Sequence, residues 1–501
     1  MRLEGLIAAV PNGELIRGDK AVEIDSIAYD SRRAEPGCLF ICVPGFASDG
    51  HEFAEKAVAA GAVALVVERQ LELDAAIAQF QVDDARAAMG LLADRFFGSP
   101  SAELRVLAIT GTNGKTTTCY LVRSILEEAG IRCGLIGTVK QIVGGVEEPV
   151  SRTTPESLEL HQALRRMLDS GDCACVLEAS SHALELARTV GVRFELGAFS
   201  NLTQDHLDFH PSMDDYFAAK RILFCGGRGT AAAAKAVVNV DDEWGVRVVA
   251  ERAALGSVAP ALTVSRLGAA AEIRAERVEF DATGSRFRCL GPGIAVDVSV
   301  PLIGQFNVDN ALMALGVAAA LDLDIPAATA ALATAEPVPG RMEPIRIGSN
   351  QRFAVIVDYA HTPAALRNVL DAARALTQRR LIVVFGCGGD RDRDKRAKMG
   401  RVGAELADLV VITSDNPRSE PPEAIIAEIL AGTGSAEPIV EPDRRVAIAV
   451  ALTRADAGDL VVIAGKGHEQ GQEFADGETV PFDDRVVARQ ELERLLGAVR
   501  R

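Results

Sequence analysis

Short runs of Val, Ile, Leu and Ala punctuate this chain, separated by longer segments whose apolar residues return every three or four positions. The short runs read as strands buried on both faces and the longer segments as helices with one buried face. Residues 1–98 form a first unit: the pattern predicts a strand in CLFICV (38–43), a helix in HEFAEKAVAAGA and a strand in AVALVVE ending at Glu68, and FFGSPSAE (96–103) marks its boundary. A strict strand, loop, helix rhythm follows. RVLAIT leads through a glycine-bearing loop into the helix KTTTCYLVRSILEEAG, closed by Gly130. CGLIGT precedes a helix with Thr154 as expected N-cap and Pro155 in its first turn, stopping near Gly171. Strands in CACVLEAS and ELGAFSNL and the helix MDDYFAAKRILF complete this stretch. Between about 260 and 303 the period drops to two in EIRAERVEF and GSRFRCL, predicting an antiparallel appendage, before the helix NVDNALMALGVAAALDL and a second boundary at PVPGR (337–341). The division is thus 1–98, 99–338 and 339–501, each long enough for its own core. Alternation of strand and helix predicts an α/β fold with mostly parallel sheets.

The last third carries four strand-like runs that each end in polar residues: FAVIVDYAH, LIVVFGCGGDRD, LVVITSDNPR and LVVIAGKGHE. In an open parallel sheet ligands bind outside the carboxyl ends of the strands, so the four exits are expected to share one rim. Composition narrows the partners. A net charge of -17 argues against nucleic acid and anionic membrane surfaces, and no segment approaches a membrane span, so a cytoplasmic location without membrane insertion is expected. The nine cysteines are scattered without a CxxC pair, and are read as small buried hydrophobes rather than metal ligands.

The strongest chemical signal is AITGTNGKTTT (108–118). A buried strand enters a turn through Gly111, Thr112, Asn113 and Gly114 whose backbone N–H groups can face phosphate oxygens, while Lys115 and the helix N-terminus add positive charge. Thr116 can offer its hydroxyl to a magnesium ion, and Thr117 completes the cradle. The spacing G-x-x-G-K-T is two residues shorter than the general P-loop pattern, and a glycine turn with a chance lysine is the competing reading. Nucleotide phosphate binding is the expected role. Two further strand exits, VLEASSHAL and NLTQDHLDFH, put Glu178 and His206 where a carboxylate and a neutral imidazole could serve cations.

AITGTNGKTTT, LEASSHAL, NLTQDHLDFH, GQFNVDNAL, PGRMEPI and DYAHTP occur in an order and spacing that resemble the Mur ligases, ATP-dependent enzymes that add amino acids to the muramoyl peptide of peptidoglycan precursors. The resemblance covers the central and C-terminal thirds. It implies a three-domain architecture: a central P-loop-type sheet flanked by an N-terminal UDP-substrate-binding domain and a C-terminal Rossmann-like domain that binds the amino acid. It also implies that a carboxylate is phosphorylated by ATP and the acyl phosphate is then attacked by an amine, with Lys115, Thr116, Glu178 and His206 aligning and neutralising phosphoryl charge. By the same likeness Asn307 and Asn310 hold the adenine, Arg341 contacts phosphates, Asp358 lies near the ribose, and Lys220 is a carbamylated lysine bridging magnesium.

Among sister activities, DNPR resembles the pattern of members that add meso-diaminopimelate. That amino acid differs from lysine by a distal carboxylate, which a guanidinium can pair, so Arg418 is the expected selectivity residue, with Asp415, Asn416 and Pro417 beside it. A site built around a charged group is expected to disfavour lysine by roughly ten thousand-fold. Gly465 and Glu469 in AGKGHE and Arg391 in GGDRDRDKR match further amino-acid contacts. For the UDP-N-acetylmuramoyl-L-alanyl-D-glutamate acceptor the likeness points to Ser31, Thr153, Thr154, Ser180 and Arg188. One departure concerns uridine: many relatives carry His-Gln after the glycine where Phe46 and Ala47 follow Gly45 here. The expected assembly is a monomer whose domains close on the substrates. The competing readings are a lysine-adding or folylpolyglutamate-type ligase and, outside that class, an ATP-binding switch or scaffold.

Overall fold

A computed structural model describes every residue except Ala47, Ser151, Ala269, Ala282, Ser349, Asn350 and 499–501, so the uridine expectation at Ala47 lies outside the described residues. Among the described residues three large sheets follow one another along the chain, with a separate two-stranded ribbon near the end. The first has five strands, in which Cys38–Ile41 pairs in parallel with Ala62–Val67. Its core of Leu, Ile, Val and Phe is closed by the helix Ala85–Phe96, capped by the Asp84 carboxylate.

The central sheet has eleven strands, with Arg105–Thr110 flanked in parallel by Ala174–Glu178 and Phe194–Phe199. These strands are buried along nearly their whole length, because helices pack on both faces; this is why they read as unbroken apolar runs. Register matters for function: Ile109 lies opposite Glu178, and Thr110 opposite Phe199, so three strand ends open at one level. The helix Lys115–Glu128 starts directly beyond the first of them.

Two expectations are corrected here. The antiparallel segment is not an appendage: Ile273–Asp281 pairs in parallel with Ala261–Ser265, and Gly284–Gly291 and Ile294–Val300 extend the same central sheet. Thr154 does not cap the following helix, which spans Ser157–Asp169 with Glu156 at its N-cap position. The Thr154 hydroxyl instead donates to the Glu178 carbonyl at 2.7 Å, a buried acceptor that would otherwise lack a partner at the strand end.

The C-terminal sheet has six strands, and Ala354–Asp358, Leu460–Ala464, Leu381–Phe385 and Leu409–Ile412 run parallel. Their four exits therefore open on one rim. Polar contacts seat the units on one another. Arg86 pairs with Glu156 at 2.9 Å and the Tyr29 hydroxyl donates to Glu159 at 3.1 Å on one side. On the other, Gln204 Nε2 donates to Asp392 and Asp394 at 3.1 and 2.9 Å.

Candidate active site

The central and C-terminal units meet around a cavity of about 820 Å³. Thr112, Asn113, Gly114, Lys115, Thr116 and Thr117 line one wall, and backbone geometry explains the glycines. Gly111 and Gly114 take φ of 146° and 85°; a Cβ would come within 2.0 Å of Ser200 Oγ at the first and 2.2 Å of Asn310 Oδ1 at the second. Lys115 folds back to donate to the carbonyls of Gly111 and Thr112 at 3.0 and 2.8 Å. Burial lowers its pKa, partly offset by Glu178 and Asp205.

Glu178 is wholly buried and collects polar hydrogens. Oε2 accepts from the hydroxyls of Thr116 and Thr138, both at 3.0 Å, and Oε1 accepts from the Thr138 N–H at 2.9 Å. Arg341 donates Nη2 to Thr116 Oγ1 at 3.2 Å and lies 4.4 Å over the Tyr359 ring. The glycine-bearing loop and the carboxylate, from two neighbouring strand exits, thus meet a guanidinium from the turn before Glu343–Pro344 at one point. Asp358, also lining the cavity, accepts from the N–H groups of Met342 and Ala360, each at 2.7 Å; burial raises its pKa against the pull of Arg341.

His206 has φ of 55°, a left-handed conformation unusual outside glycine and a mark of local strain. Its Nε2 lies 3.3 Å from Asp205 Oδ2. Burial drives its pKa down to about 3, so the imidazole is neutral at pH 7. Burial pushes Asp205 upward, yet His206, His361 and Lys395 together hold it well below the usual carboxylate range. Lys220 is 1% exposed; its Nζ donates to the Gly111 carbonyl at 2.7 Å and sits 4.7 Å from the Tyr216 ring centre. Burial first, and the Lys115 charge second, hold its pKa well below that of an ordinary lysine. Among the described residues, no three His, Cys, Asp or Glu side chains gather into a metal-binding group.

Asn310 lines the cavity and donates to Asn307, which is buried behind it and donates to the Ile303 carbonyl at 2.9 Å. Thr153, Thr154, Ser180 and Arg188 also line the cavity, beyond Glu178, where Thr154 Oγ1 meets Ser180 Oγ at 3.2 Å and Arg188 pairs with Glu156 at 3.0 Å. Ser31 is buried in the N-terminal unit and is not among the lining residues. Phe46 is 83% exposed and meets Phe209 edge-on at 6.2 Å.

Arg391 reaches the cavity, whereas the remaining expected amino-acid contacts form a neighbouring group on the C-terminal rim. There Lys466, fully buried, donates to Asn416 Oδ1 at 2.7 Å and Glu469 Oε2 at 2.9 Å, and Asn416 Nδ2 donates to the same Glu469 oxygen at 3.0 Å. Asp415 is buried between Lys466 and Gly465, at whose α-carbon a Cβ would meet Asp415 Oδ2 at 2.6 Å. The Pro417 carbonyl accepts from the Glu420 N–H, and Arg418 follows at φ of 50°. Sequence reasoning missed Thr138, Asp205 and Lys466. Thr138 stands at a strand exit, the same signal that found Glu178; the other two lie inside motifs already picked out, and only packing reveals them.

The buried histidines make a pH prediction. Burial also takes His468 down to about 3, aided by Arg341 and Arg485. In the unfolded chain it binds a proton below about pH 6.5, so its contribution to stability is complete above that value and is lost as pH falls toward 3. Thermal unfolding at pH 7.5 and 5 should show a smaller acid-side drop in His468→Gln than in the unsubstituted chain.

Comparison with known proteins agrees with the geometry. Three family models match: the Mur ligase family catalytic domain over residues 23–97, the Mur ligase middle domain over 109–318, and the Mur ligase glutamate ligase domain over 340–467. A UDP-N-acetylmuramoyl-L-alanyl-D-glutamate--2,6-diaminopimelate ligase from Syntrophomonas wolfei subsp. wolfei is 45% identical over 480 residues, covering 95% of this chain and 96% of its own. A protein of the same name from Gloeobacter violaceus is 44% identical over 498 residues, covering 99% and 98%. A solved structure bearing that enzyme name is similar with a TM-score of 0.69 and 33% identity, over 99% of this chain and 100% of the other. Among the described residues, no helix is long and apolar enough to cross a membrane. A glycine-bearing loop and a buried glutamate of the central unit meet an arginine of the C-terminal one, and the chain, matched nearly end to end by these relatives, belongs to the Mur ligase family.

Proposed function

We infer that this chain is an ATP-dependent amide ligase that joins meso-diaminopimelate to UDP-N-acetylmuramoyl-L-alanyl-D-glutamate in peptidoglycan precursor synthesis. The observation that carries the reading is the meeting of the Lys115 loop, Glu178 and Arg341 at one cavity, beside a rim bearing Asn416, Arg418 and Glu469. An amide cannot form from a carboxylate until one oxygen becomes a leaving group. A glutamyl carboxylate oxygen attacks the γ-phosphorus and ADP departs; the amine nitrogen then attacks the acyl carbon, and phosphate leaves as the amine loses a proton.

The protein's part in this is alignment and charge compensation. Lys115, released from the carbonyls it now holds, can follow phosphoryl charge, and Arg341 approaches the same phosphates. Asn307 and Asn310 support the adenine and Asp358 the ribose. Thr153, Thr154, Ser180 and Arg188 orient the muramoyl peptide, with Ser31 on the uridine side.

The oxygen donors Thr116 and Glu178 suit magnesium, a hard cation that keeps waters and substrate phosphates in its shell. When bound there, magnesium would neutralise charge on the phosphates, and neutral His206 and a carbamylated Lys220 would be its further ligands. The lowered pKa of Lys220 favours the free amine, which adds to carbon dioxide with loss of one proton to give an anionic carbamate. On the C-terminal rim Arg391 and Arg418 receive carboxylates, while Asp415, Asn416, Pro417, Gly465 and Glu469 surround the distal amine. One chain carries every residue this scheme requires, so the working unit is a monomer, acting in the cytoplasm where its soluble substrates are made. Mass spectrometry of a reaction containing ATP, magnesium, the dipeptide nucleotide and meso-diaminopimelate should find the tripeptide product with one ADP per amide; ADP without tripeptide would contradict the assignment.

A further inference from the structure

The guanidinium of Arg418 is already engaged. Its Nε lies 2.7 Å from Glu473 Oε2, Nη1 donates to the Gly389 carbonyl at 2.9 Å, and its backbone N–H donates to the Glu473 carbonyl at 3.1 Å. Asp390 also faces this arginine, but its carboxylate accepts from the hydroxyl and N–H of Ser419. Glu473 therefore holds the carboxylate-binding side of Arg418. It ends the strand Gly471–Glu473, whose ribbon partner is Thr479–Pro481, outside the six-stranded sheet.

The exposure of the pair is informative: the side chains are 22% exposed at Arg418 and 49% at Glu473. An ion pair this close to water is held by no more than about fivefold in equilibrium terms. A rigid orienting partner would be buried, as the Arg444 and Asp484 pair in the same domain is at 0% for both side chains. Resting on the reading that Arg418 receives the distal carboxylate of the amino acid, we propose that Glu473 is a resident stand-in for that carboxylate. It neutralises Arg418 in the empty site and is displaced by diaminopimelate, so binding exchanges one carboxylate for another.

Two consequences follow from the exchange. Diaminopimelate binds less tightly than it would to an unpaired guanidinium. Lysine, which has no distal carboxylate, leaves the resident pair intact and escapes the penalty of an unpaired charge, so discrimination between the two amino acids is reduced. Removing the Glu473 charge reverses both effects, while the backbone bond from Arg418 to residue 473 keeps the turn in place.

The test is phosphate release from ATP with the dipeptide nucleotide at varied meso-diaminopimelate or L-lysine, for the unsubstituted chain, Glu473→Gln and Glu473→Ala. The expected result is a KM for diaminopimelate lowered by about two- to fivefold, a preference over lysine raised by a similar factor, and a larger effect with alanine than with glutamine. An unchanged or raised KM, or a flat or lowered preference, overturns the stand-in role and makes Glu473 a bystander or an orienting group. Absence of any diaminopimelate response in the unsubstituted chain overturns the underlying reading, and the inference with it.

Discussion

Lys220→Ala is expected to leave the ligase folded and nearly inactive, with turnover down by about a hundred- to a thousand-fold, the usual cost of losing one preorganised electrostatic group. The lysine sits fully inside the central domain, bonded to the Gly111 carbonyl that also receives Lys115. As a carbamate it would reverse the sign of its charge beside the phosphate loop and join Thr116 and Glu178 in holding magnesium. Acetate or formate diffusing into the space left by alanine should restore part of the activity, because each brings back an anionic oxygen pair. Steady-state rates with and without these ions, alongside a thermal unfolding curve, check the prediction. Normal activity in the variant would remove Lys220 from the mechanism, and loss without rescue would leave it a structural cation.

Arg418→Ala is the second large effect. It should lower the preference for meso-diaminopimelate over lysine by about ten- to a hundred-fold, as expected for loss of a charge-assisted hydrogen bond contributing about 1.5–3 kcal/mol. The sequence alone pointed to roughly ten thousand-fold, on the premise of a buried guanidinium left without a partner. Arg418 is instead partly exposed and paired with Glu473, so the lysine complex does not strand a charge. The ratio of kcat/KM values for the two amino acids measures the effect directly; a retained strong preference for diaminopimelate would move selectivity to Arg391 or to the Lys466 cluster.

How much of this could be read in the chain depends on how far apart the partners lie. Buried parallel strands leave unbroken apolar runs, so RVLAIT and CACVLEAS were legible; the glycine-bearing loop singled out Lys115, and the strand-exit rule singled out Glu178 and the DNPR turn. The hydrophobic period could not reveal that Ile273–Asp281 joins the central sheet, because alternation looks the same in a free hairpin and in a sheet extension. Thr154 reads as a helix cap from its neighbours, but the stronger claim on its hydroxyl is the Glu178 carbonyl, which only the folded sheet brings near. Lys220 lies on a helix whose charged residues look solvated in sequence; it packs by Tyr216 one turn earlier on that helix, and its amine is taken up by the Gly111 carbonyl, which only the folded sheet brings near. The pairing of Arg418 with Glu473 joins a strand exit to a separate ribbon, and nothing in the spacing announces it.

The decisive experiment is phosphate release from ATP in the presence of UDP-N-acetylmuramoyl-L-alanyl-D-glutamate, run with meso-diaminopimelate, with L-lysine and with no amino acid. Strong release with diaminopimelate, weak release with lysine and a baseline without either is the predicted result. Release that does not depend on an amino acid would contradict it and leave an ATP-hydrolysing switch as the better reading of the fold.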